Sequence, residues 1–260
     1  MNRNLLLIAS ITSVFVIAFA LTTFLHEIAH ALVAVACNVA CTLYHTSVNY
    51  KDPDVPDASR IAIAAAGPLF SLLQGMLGLL LARRLSPGMA RLFWLYCGSM
   101  GMMVFLGYIA IGPFVPYGDS GQIIRILSLG QSLTIPLAVL AMFGLAWTFR
   151  SITRPLRDDL LHIRQGMSEP RPSIAILALL PLLVGGVLNV ALSLPAPTFL
   201  SLVLPVSVSL AMLPAAIRIA LKARPEDAPE MGIGSVTWMP VIAMLLLLAL
   251  SRVLAIGISL

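Results

Sequence analysis

The chain has 260 residues, of which 59% are hydrophobic and only 10% charged, with a mean hydropathy of +0.98. Water-soluble domains carry roughly 25% charged residues, so the composition excludes a soluble globular domain and points to a protein embedded in a lipid bilayer. The net charge of +5 does not indicate nucleic acid, because the basic residues fall between apolar runs, where they set membrane topology.

Apolar runs of about 20 residues read as membrane helices. In chain order they lie near 7–37, 61–82, 91–112, 131–149, 173–194, 197–217 and 236–257. The expected fold is therefore an all-α, polytopic membrane protein of about seven transmembrane helices. The first run is too long for one crossing, so it tilts or its first turns protrude. It also outruns a signal-peptide core and lacks a clear cleavage site, so it reads as a retained helix. Cys37, Cys41 and Cys97 cannot build a disulfide framework, and they read as small apolar filler. Gln74 and Asn189 sit inside spans, where such side chains bridge helices. The stretch 150–172 reads as a basic loop with an interfacial helix. The glycine-rich third span reads as close packing.

With seven crossings, 12 of the 16 Lys and Arg residues fall on the N-terminal side. Only Lys51, Arg60, Arg125 and Arg252 fall on the other. The positive-inside rule then puts the N-terminus in the cytoplasm.

The first run contains "HEIAH", residues 26–30. This is the zinc pattern H-E-x-x-H. Residues i and i+4 share a helix face, so His26 and His30 can reach one metal ion. Glu27 beside them can take a proton from a water on that metal, whose pKa zinc lowers toward ~7. The bland alternative is a pair of hydrogen-bonded core histidines. Three ionisable groups within five residues of a span are costly, which favours the metal.

Catalytic zinc has three protein ligands and an open position. Asp119, in "GPFVPYGDSGQII", is the favoured third ligand. The third run ends on the same side as His26 and His30, and Pro113, Pro116, Gly118 and Gly121 break the helix there. Irregular backbone at membrane depth is tolerated only where it is buried or lines a cavity. His45 is the competing ligand, Asp52, Asp54 and Asp57 lie in the same polar loop, and Asp119 could instead cap a helix. Gly67 and Pro68 suit a close helix approach or a local break facing a cleft, with tight packing alone as the alternative. "TLYHTSVNY", residues 42–50, is rich in β-formers and could form a hairpin whose edge pairs with an extended peptide, or a plain loop.

Together, "HEIAH", "AAGPLFS" (65–71) and "PYGDSG" (116–121) resemble the site-2 protease family of intramembrane zinc metalloproteases. The resemblance covers about residues 20–125. It implies one Zn2+ per chain held by His26, His30 and Asp119, with Glu27 as general base. It implies a metalloprotease core in residues 1–130, with residues 131–260 adding membrane helices it does not cover. The implied activity is hydrolysis of a peptide bond in or near a transmembrane segment of a membrane-protein substrate. Three departures stand out. The usual Asp-Gly is Asp119-Ser120-Gly121, the asparagine usual upstream of it is absent, and Ser71 stands where asparagine often follows the Gly-Pro. Family members usually hold the metal nearer the cytosol, whereas the charge count puts this site outside. Ser71 faces the expected cleft, and His45 and Ser120 are the candidate oxyanion donors. A metal-binding scaffold or regulator and a metal-dependent transporter are the alternatives. Neither of these needs Glu27.

Overall fold

The computed structural model describes residues 3–50, 54–165, 173–195, 199–222 and 237–260. Lys51, Asp52, Glu169, Arg171, Arg224, Glu226, Asp227 and Glu230 lie outside the described residues. In chain order the elements are α1 (Arg3–Ala36), β1 (Thr42–Leu43), β2 (Val48–Asn49), α2 (Asp57–Arg84), α3 (Met89–Ile111) and α4 (Asp119–Ile126). There follow α5 (Gln131–Gln165), α6 (Ile174–Leu192), α7 (Phe199–Lys222), α8 (Met239–Leu254) and β3 (Ile258–Ser259).

Among the described residues, six helices are long and apolar enough to cross a membrane: α1, α2, α3, α5, α6 and α7. The expected seventh span is the 16-residue α8. At 1.5 Å per residue it is about 24 Å long, short of the ~30 Å hydrocarbon core. It lies beside α1. Ser10 donates to the Thr237 carbonyl at 3.2 Å, just before α8 begins. At its other end Arg252 donates to the carbonyls of Ala191 and Leu194 at the C-terminal end of α6.

The break expected after residue 149 is not there, because α5 runs on to Gln165. The reason is a second apolar stripe. Ile152, Leu156, Leu160 and Ile163 recur at helical spacing and are buried in the main core, while Arg150 and Arg154 point outward. Arg150 and Arg154 lie on the exposed face of one long helix, while Asp159 turns inward.

The main core joins α1, α3, α5, α6 and α7 through residues such as Leu7, Phe15, Leu92, Tyr96, Leu160 and Leu177. Phe15 meets Tyr96 edge to face at 5.3 Å between centroids. In lipid, burying apolar surface gives little drive, so close packing and interhelical hydrogen bonds matter more. Gln74 supplies the expected bridge, donating to Thr22 Oγ1 at 2.6 Å and tying α2 to α1. Asn189 does not. It is fully buried, but neither side-chain polar atom has a hydrogen-bond partner among the described residues. At the N-terminal end of α3, Arg91 Nε donates to the buried Asp159 Oδ1 at 2.8 Å, and the Gly88 N–H donates to the same oxygen at 2.8 Å. This pins the α2–α3 turn to the end of α5.

The hairpin in residues 42–49 forms. Thr42 faces Asn49, Leu43 faces Val48, and the Tyr44 N–H bonds the Ser47 carbonyl at 2.8 Å across the turn. A long-range partner completes the sheet. β3 pairs antiparallel with the other edge of β1, giving the order β2-β1-β3. A second apolar cluster of Ala31, Ala34, Val39, Cys41, Leu43, Val55 and Ile63 seats the hairpin on the last turns of α1. The cysteines are free thiols, and Cys41 and Cys97 are buried.

Candidate metal centre

His26, Glu27 and His30 lie in the second half of α1, all buried. The i,i+4 spacing brings the imidazoles together edge to face, with centroids 4.7 Å apart. Their Nε2 atoms are 3.1 Å apart. Asp119 opens α4, after the loop with Pro113 and Pro116 that ends α3. It sits just after the N-cap Gly118, and α4 has no side-chain cap hydrogen bond, so Asp119 does not act as the helix cap. Its Oδ2 instead lies 3.1 Å from His26 Nε2 and 3.3 Å from His30 Nε2. Gly121 permits that turn, since a Cβ there would stand 1.8 Å from the Val115 carbonyl oxygen.

The second set of ring nitrogens fixes what the first can do. His30 Nδ1 lies 2.6 Å from the Ile63 carbonyl oxygen. A carbonyl only accepts, so Nδ1 carries the proton and the Nε2 of a neutral His30 is a bare lone pair. His26 Nδ1 is partnered by Ser71 Oγ at 2.9 Å. Both α2 partners lie near Pro68, which lacks the N–H for one helix hydrogen bond although α2 runs unbroken through it. Gly67 lies directly beneath the imidazoles. A Cβ there would be 2.3 Å from His30 Nε2 and 2.6 Å from His26 Nε2. Gly67, Pro68 and Ser71, expected to face a cleft, are instead buried behind the imidazoles and are not among the residues lining the cavity.

Three electron-pair donors thus converge. Ser71 can donate to His26 Nδ1, which puts the proton of a neutral His26 on Nε2, facing Asp119. A proton there or a bound cation relieves the repulsion. Burial opposes the charge on Asp119, but hydrogen bonds from His26 and His30 outweigh it and hold its carboxyl well below the usual carboxylate range. A metal fits equally well by geometry. Tetrahedral ligands at 2.0–2.2 Å from zinc stand about 3.3 Å apart, and these stand 3.1 to 3.3 Å apart. His26, His30 and Asp119 also form a group compact enough to hold one ion. Comparison with family models, with curated proteins and with solved structures finds no match. The chemistry therefore rests on these residues alone.

His26, His30, Asp119 and Glu27 line one cavity of about 310 Å³. Its far wall is the hairpin, residues 46–50, and the second half of the chain contributes Ser193, Ser201 and Leu204. Gln122 of α4 donates to the Tyr50 phenol at 3.3 Å and closes one side. His45 is elsewhere. It lines a second, smaller cavity with Phe24, Leu192 and Leu250, and it is not in the metal group. Burial, reinforced by the Arg252 charge, holds its imidazole below its ordinary pKa. Ser120 packs against Gly112 at the end of α3 and is not among the lining residues. Among the lining residues that the sequence did not single out, one touches a histidine of the site. Tyr108 of α3 stacks on His26, with centroids 5.5 Å apart and planes 7° from parallel. An aromatic residue in an apolar span carries no signal of its own.

Proposed function

We propose that the chain is an intramembrane zinc metalloendopeptidase that hydrolyses a peptide bond in or near a transmembrane segment of a membrane-protein substrate. The observation that carries this reading is the convergence of His26, His30 and Asp119 over Gly67, with Glu27 in the same cavity. Zinc bound there would act as a Lewis acid on the scissile carbonyl and make a water acidic enough to ionise near neutral pH. Ser71 and the Ile63 carbonyl hold the two Nδ1 atoms, which would leave both Nε2 atoms to meet the metal. Glu27 is the general base: it takes the water's proton and returns it to the leaving nitrogen. A scaffold or a transporter needs no base at this position, which favours the enzyme.

A helical substrate must unwind before its carbonyls can be attacked. The outer edge of β2 runs along the cavity and has no strand neighbour among the described residues. It would take an extended segment by strand addition. The same reading makes α8 the seventh crossing, with residues 1–130 as the catalytic core. The basic residues then set the N-terminus in the cytoplasm and the metal nearer the opposite face.

Purified protein should hold about one zinc per chain and cleave a transmembrane reporter. Chelation should stop cleavage, and added zinc should restore it. Undiminished cleavage by the metal-free chain would sink the reading.

A further inference from the structure

Peptide hydrolysis needs a hydrogen-bond donor where the carbonyl oxygen gains negative charge. Neither sequence candidate stands there, since His45 faces the other cavity and Ser120 packs on Gly112. Tyr108 does line the metal cavity. One face of its ring lies on His26. Its phenol hydrogen-bonds the Asp119 carboxylate, and Glu27 lines the same cavity. A substrate carbonyl drawn into this cavity shares it with that residue. A phenol suits the place because it is a neutral donor, protonated at neutral pH.

We propose that Tyr108 is a catalytic residue whose phenolic O–H donates a hydrogen bond to the oxygen of the scissile carbonyl. This rests on the peptidase reading above. The water oxygen attacks the carbonyl carbon, and the C=O π pair moves onto oxygen. Glu27 takes one proton of the water. Tyr108 donates to the oxyanion and keeps its own proton throughout. As the C–N bond breaks, the oxyanion pair re-forms the C=O and Glu27 delivers its proton to the departing nitrogen. The products are a carboxylic acid and an amine.

Tyr108→Phe keeps the ring and its stack on His26 and deletes only the donor. Zinc should stay at the wild-type content and KM within about twofold, while kcat falls roughly 100-fold, as for loss of one oxyanion donor. Calorimetric affinity for a peptidyl phosphonate, which carries a tetrahedral oxyanion, should fall by a similar factor. Wild-type kcat and phosphonate affinity in Tyr108→Phe would overturn the proposal. So would a loss of zinc that matches the loss of activity, because the hydroxyl would then be holding Asp119. A loss of this size in His45→Ala or Ser120→Ala would overturn it too. A wild-type protein that neither holds zinc nor cleaves the reporter fails at the peptidase reading itself. Failure of this proposal alone looks different: an active wild type with an equally active Tyr108→Phe.

Discussion

Gly67→Ala is the sharpest structural test of the metal centre. The added methyl would stand 2.3 Å from His30 Nε2 and 2.6 Å from His26 Nε2. Non-bonded heavy atoms settle near 3.5 Å, so each nitrogen must retreat by about 1 Å. Metal–ligand distances tolerate about 0.2 Å. At least one ligand is therefore lost. Loss of an outer-shell partner alone costs about 10–100-fold in metal affinity, so the loss here should exceed roughly 100-fold. Thermal unfolding adds a second reading. Gly→Ala in a helix normally gains up to about 1 kcal/mol, whereas overpacking costs about 1–3 kcal/mol. The variant should lose zinc to a competing chelator and melt no higher than wild type. Zinc held at wild-type affinity would refute the placement of Gly67 beneath the imidazoles.

Three further outcomes follow from the same contacts. Ser71→Ala removes the partner of His26 Nδ1 and should weaken zinc binding by about 10–100-fold in chelator titrations, with the fold intact by circular dichroism. Arg91→Ala leaves the fully buried Asp159 unpaired and should destabilise the chain by about 3–5 kcal/mol in denaturant titrations. Adding Asp159→Leu should recover most of that loss. A cysteine placed at exposed residue 54 should react with an impermeant thiol reagent from the non-cytoplasmic side; labelling only from the cytoplasmic side would reverse the orientation.

The parts of the site that were legible in the sequence were those fixed by local geometry. The i,i+4 histidines could face one ion only on a helix, and α1 supplies it. Asp119 stood out because prolines and glycines forced the chain to turn beside an acidic group, and the turn delivers that carboxylate to the histidines. The hairpin followed from its β-formers. What stayed hidden depended on distant partners. β3 reads as the tail of an apolar run until β1, more than 200 residues earlier, provides its edge. The arginines after residue 149 read as a loop because an amphipathic stripe becomes visible only against the core it covers. Tyr108 shares a site with His26 because α3 packs beside α1, and no spacing rule encodes that contact. His45 looked like a ligand by residue type, but the hairpin turns it toward α6 and α8.

Glu27→Gln separates metal binding from base catalysis at this site. The amide nearly preserves shape, leaves the three ligands untouched and removes the proton acceptor. Zinc content and reporter cleavage should be measured on the same preparation. The account predicts wild-type zinc content with cleavage reduced by at least about 100-fold. Full zinc content with undiminished cleavage would contradict it.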